Sequence, residues 1–142
     1  MNQKFLNEIY KNTKMAVQSI ENMYPKFRST KLKQFMKNAQ EKYMKYLEQC
    51  KKIAQEKKLE LKDASFFSKT MLKMSISMST LFDKSSEHIA ELFLMGTVRG
   101  TLSLYKELKT YKDADKDIVD LAKSLKNFEE QSFEEIKTYL QE

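Results

Sequence analysis

SSEHIAELFLMGTVRGTLSLYKELKTY, residues 85–111, is apolar on nearly every face when wound as a helix: Leu92, Phe93, Leu94, Met95, Val98, Leu102 and Leu104 leave no wide polar stripe. Such a helix belongs inside a layer of others. Every other long segment is amphipathic and suited to cover it, so an all-α protein is expected, with residues 85–111 as its central helix. Ser85 or Ser86 caps it, and Glu87 in its first turn suits the positive end of the helix dipole.

Outward from this centre the covering helices read from three- and four-residue steps. Residues 3–23 carry one stripe, Leu6, Ile9, Thr13, Ala16, Val17, Ile20 and Met23, and Pro25 marks its end. Ser29 or Thr30 caps a second helix to about Lys58, with a near-heptad seam through Leu32, Phe35, Met36, Ala39, Tyr43, Tyr46, Leu47, Cys50, Ile53 and Ala54. So short a turn makes this pair antiparallel. Residues 65–82, SFFSKTMLKMSISMSTLF, alternate like a strand at Leu72, Met74, Ile76 and Met78, yet Phe67, Met71, Met74, Met78 and Leu81 form a helical stripe. Helix is preferred, because the chain offers no second strand for pairing. Asp113 or Asp115 caps the last helix, which runs to the C-terminus on Ile118, Leu121, Ala122, Leu125, Phe128, Phe133, Ile136, Tyr139 and Leu140. If the first helix runs up and the second down, the short third one returns the chain, so that the central helix runs down and the last one up. That is a four-helix bundle with one long crossover.

With 142 residues the chain fits a single domain, 1–142, able to bury a core without disulfides or metal staples. Two glycines and one proline leave little turn chemistry, in keeping with helix. Cys50 is the only cysteine and reads as a small buried hydrophobe in a reducing, cytoplasmic setting. The N-terminus has no signal-peptide pattern, and Arg99 ends the longest apolar run, so no membrane span is expected. The net charge of +6 is uneven: residues 1–62 carry +9 and residues 63–142 carry −3. Lys and Glu are intermixed and few aromatics stand among the basic positions, so neutralising neighbour helices are read in preference to a nucleic-acid surface.

The blocks NTKMAVQSIENMYPK (12–26) and DKSSEHIAELFLMGTVRGTLSLYKELKTYKDAD (83–115), with the Met-rich segment between them, resemble a small uncharacterised bacterial family of the ferritin-like, rubrerythrin-related superfamily. The resemblance implies a ferritin-like four-helix bundle with an additional helical crossover between the second and third main helices. It implies no established reaction, since fold alone does not carry function.

A ferritin-like di-iron centre needs two Glu-x-x-His motifs with two further carboxylates, all facing inward. This chain has one histidine, His88, and only the reversed His88-x-x-Glu91. His88 and Glu91 are weak candidates for a mononuclear site with Glu8 or Glu129. The plainer reading is a polar first turn. Cys50 on a seam reads as packing rather than as a nucleophile, and Glu129 and Glu130, like Glu134 and Glu135, read as a solvated face. Met71, Met74 and Met78 suit an adaptable core or a partner groove better than a Cu(I) site, which wants thiolate or imidazole as well.

Gly96 and Gly100 lie inside a helix, where each costs about 1 kcal/mol relative to alanine. Close approach of a helix or a ligand niche is the expected compensation. Arg99 between them is a candidate for an interior or interface anion contact. The sequence therefore points to a non-enzymatic structural or interaction protein without a cofactor, a homo-oligomer and by expectation a dimer. Alternatives are a degenerate ferritin-like metal-binding or oxidoreductase-related protein, and polyanion binding through the basic half.

Overall fold

The structure, a computed structural model, describes residues 1–23, 29–62 and 86–140. Four helices make up most of them: α1 (Asn2–Met23), α2 (Thr30–Lys57), α3 (Ser86–Thr110) and α4 (Lys116–Leu140). No strand occurs among the described residues. The protein is an all-α four-helix bundle. The short helix expected over 65–82 lies outside the described residues, as does the crossover it would form.

Local chemistry sets the helix ends. Ser29, in extended conformation, accepts a hydrogen bond from Leu32 N and caps α2. At the other end Lys58 adopts the left-handed conformation (φ 57°) while Leu59 N bonds back to Ala54 O at 2.8 Å. Glycine usually takes that position. Asp115 holds the N-cap position of α4, its carbonyl accepting from Ile118 N and Val119 N. Its carboxylate is turned to Lys57 Nζ at 2.8 Å, and Asp117 lies 3.2 Å from the same amine.

Contacts between elements fix their directions. The start of α1 meets the chain after α2, where Asn7 donates to Glu60 O and accepts from Lys62 N. Asn2 near the start of α1 accepts from Asp115 N at the start of α4. Phe5 stacks on Tyr111, just past α3, with ring centroids 5.1 Å apart. Phe35, in the second turn of α2, meets Phe93 of α3 and Tyr139 at the end of α4. Thus α1 and α4 run one way, α2 and α3 the other, as the sequence reading expected. The end of α2 and the start of α3 lie at opposite ends of the bundle.

The core follows the predicted stripes on α1 and α2 closely: Leu6, Ile9, Ile20, Leu32, Met36 and Cys50 are fully buried or nearly so. Two expectations fail. The central helix is not enclosed, because Met95, Val98, Leu102 and Tyr105 are 45–53% exposed along one face. The solvated face assigned to Glu129 is also wrong, since Glu129 and Ser132 are buried on the seam of α4 between Leu125 and Ile136. The seam geometry holds and the residue type departs from it.

Candidate functional site

Glu129 is buried because α3 makes room for it. The missing side chain of Gly100 leaves a niche that the Glu129 carboxyl fills; a methyl group there would collide with Oε2 and stand 3.1 Å from Cδ. The carboxyl is 2% exposed. Among the described residues its one hydrogen bond is from Thr101 Oγ1 to Oε2, at a long 3.4 Å. Burial pushes its pKa up to about 8, Thr101 pulls it slightly back, and Glu107 pushes it up further. At neutral pH this side chain is therefore mostly a neutral acid. Burial likewise raises the pKa of the Tyr43 phenol of α2 well above the ordinary value, and the neighbouring Glu129 and Tyr46 push it further in the same direction.

Nearly two turns further along α3, Glu107 is also buried. Ser103 Oγ donates to its Oε1 at 2.8 Å, while Oε2 has no hydrogen-bond partner. Burial raises its pKa to about 7; Ser103 and Lys11 oppose this and Glu8 adds to it. The bundle interior thus holds two carboxyls whose protons leave in or above the neutral range.

A pocket of about 360 Å³ opens beside Glu129, walled by α1, α2, α3 and α4. Met15, Leu92, Phe93 and Met95 supply its apolar lining, and Glu129 and Tyr43 supply acidic and phenolic groups. Asn12 of α1 reaches Gly100 O at 3.5 Å, and Thr97 Oγ1 donates to Phe93 O at 2.8 Å, so both are occupied. Arg99 and Gly96 line the pocket and are exposed, which puts them at its rim. The arrangement can hold a small molecule with an apolar body and one group that hydrogen-bonds or pairs with a carboxyl.

The residues singled out from sequence are distributed differently. His88 and Glu91 lie in the first two turns of α3, half-buried and exposed respectively. Gly100, the level of Glu129, is roughly 18 Å further along the helix, and Glu8 acts on Glu107 beyond that. Neither carboxylate joins His88. Among the described residues no group of three or more His, Cys, Asp or Glu side chains is placed to hold a metal ion. Arg99 takes the outward route to the rim in place of an interior anion contact. Gly100 is closely approached, by a carboxyl rather than by a helix backbone, whereas a methyl group on Gly96 would meet nothing within 4 Å. Met71, Met74 and Met78 lie outside the described residues. Cys50 is buried, and burial pushes its thiol up to about 12.

Glu107 and Tyr43 were missed as site residues, and Glu129 was considered only as a partner for His88 and Glu91 or as part of a solvated face. A signal was present for Glu129: it lies four residues beyond Leu125 and seven before Ile136, a seam position whatever side chain occupies it. No protein-family model, curated protein or solved structure matches the chain. No helix among the described residues is long and apolar enough to cross a membrane.

Proposed function

We infer that the protein is a non-enzymatic interaction module that pairs with a second copy of itself through the open face of α3. The observation that carries this reading is the exposed stripe Met95, Val98, Leu102 and Tyr105 on the most apolar helix of the bundle. The stripe continues to the exposed Glu91 at one end and Lys109 at the other. Its six positions are symmetric about the level of residue 100. An antiparallel copy related by a two-fold axis there sets Val98 against Leu102, Met95 against Tyr105 and Glu91 against Lys109. Isologous pairing needs such self-complementarity, and here apolar meets apolar while opposite charges meet at both ends. Tyr105 is already oriented for the contact, its hydroxyl donating to Glu130 at 2.6 Å and its ring lying under Lys126 Nζ at 4.7 Å. The strip is roughly 27 Å long and one helix wide, which fits a small, exchanging interface rather than a permanent one.

The ferritin-like relationship is part of the same proposal, supported by the shared direction of α2 and α3. A cytoplasmic location is supported by the sole, buried thiol of Cys50.

Sedimentation velocity across a hundredfold concentration range tests the pairing. The expected result is a monomer–dimer equilibrium, weakened at least about tenfold by Leu102→Glu, since a carboxylate would be buried opposite Val98. Glu91→Lys or Lys109→Glu alone weakens it less, and the two together restore it. A monomer at every concentration sinks the reading.

A further inference from the structure

The geometry points to the pocket beside Glu129 as a binding site for a small organic cation, an apolar monoamine whose ammonium group meets the Glu129 carboxyl and whose hydrocarbon lies against Met15, Leu92 and Phe93. The site does not depend on the pairing of α3 and would exist in a monomer.

The volume of about 360 Å³ lies at the small end of ligand sites. The decisive feature is a polar group left nearly unanswered. Glu129 is 2% exposed, and among the described residues one oxygen takes a long hydrogen bond from Thr101 while the other takes none. That second oxygen is not sealed in as Glu107 Oε2 is; it opens on the pocket, and a ligand donor fits there.

Four ligand chemistries compete for it. A hydrocarbon alone leaves the carboxyl as it is. An anion finds one O–H donor in the protonated carboxyl but no compensating cation inside the pocket, since Arg99 stands at the rim. A metal ion wants further ligands, and among the described residues no group of three is placed to supply them. An ammonium group brings several N–H donors and a compensating charge, and its other end is free to be apolar. Arg99 adds a selection rule. Its guanidinium stands at the rim, so a ligand with a cation at both ends brings its outer charge near a like one, whereas a monoamine leaves only hydrocarbon there.

Binding an ammonium group favours the ionised carboxylate, so a proton leaves Glu129 as the amine arrives. The groups that face this carboxyl are few. Tyr43 comes from α2, Glu107 and the neutral Thr101 from α3, and Arg99 stands at the rim; Asn12, its neighbour from α1, is uncharged, while Lys11 and Glu8 act one layer away on Glu107. Glu107 is the other acid able to release a proton near neutrality, and only replacement of Glu129 tells the two apart.

The test is isothermal titration of the full chain at pH 7 with hexylamine, hexan-1-ol, hexanoate and 1,6-diaminohexane. Hexylamine is expected to bind at least about tenfold more tightly than each of the others, with close to one proton released, read from heats in buffers of different ionisation enthalpy. Glu129→Gln, which keeps the shape, removes that preference and the proton release while leaving hexanol within about twofold. Gly96→Leu, at an exposed helical position, narrows the mouth and weakens hexylamine without touching Glu129. Titration of Leu102→Glu in parallel gives the same ranking if pairing and binding are separate. The proposal is overturned if hexanol binds as tightly as hexylamine, if Glu129→Gln leaves the amine affinity unchanged, or if hexylamine shows no saturable binding up to about 10 mM. Should Glu129→Gln lose its helical signal, the ligand ranking on the unaltered chain and the Gly96→Leu result still decide.

Discussion

Gly96 and Gly100 stand one turn apart on α3 and have opposite reasons for lacking a side chain. Gly96 borders open space, so Gly96→Ala should stabilise the fold by about 1 kcal/mol, the helix preference of alanine over glycine. At Gly100 the same methyl group would displace a buried carboxyl, and Gly100→Ala should destabilise. The reason is steric and can be removed: in a Glu129→Ala background Gly100→Ala should turn into a gain of about 1 kcal/mol. Urea midpoints of the four variants and the parent check this, and a loss at Gly100 that persists without Glu129 contradicts it. From the sequence the two glycines are indistinguishable. Spacing shows that both lie mid-helix, but which one faces a neighbour depends on the rotation of α3 against α4.

At the level of the elements, helix existence and order were legible because the signals are local. The stripes on α1 and α2, the cap at Ser29 and the placement of Asp115 all come from neighbours within one or two turns. Some details differed for equally physical reasons: Asp115 occupies the cap position, yet its carboxylate serves Lys57, a long-range partner that no local pattern announces. That pairing holds the Asp115 carboxyl below its usual range and raises the Lys57 amine. The end of α2 carries a correctable strain. Lys58 sits in the left-handed region where a Cβ is unfavourable, so Lys58→Gly should stabilise by about 1 kcal/mol, read as a higher urea midpoint with unchanged slope. An unchanged or lower midpoint would show that the lysine side chain contributes more than its backbone strain removes.

For the molecule as a whole, the two buried acids govern how stability depends on pH. Unfolded, Glu107 and Glu129 lose their protons near 4.5; folded, they hold them to about 7 and about 8. Between those values the folded chain carries protons that the unfolded chain has released. Their contribution is therefore greatest below about pH 4.5 and declines as pH rises, by on the order of 1 kcal/mol per unit for each group, until Glu107 and then Glu129 ionise. Melting temperatures should fall from pH 5 to pH 8 in the parent, and less steeply in Glu129→Gln; a flat parent profile contradicts this. Composition and periodicity alone determined that the chain is helical, where its described helices lie, which faces of α1 and α2 are buried, and in which direction each helix runs, because these follow from local spacing and connection length. Only the tertiary structure decided that α3 keeps one apolar face open and that the Glu129 carboxyl fills the space above Gly100. Both depend on how α3 is rotated against α4, which the spacing within either helix alone does not set.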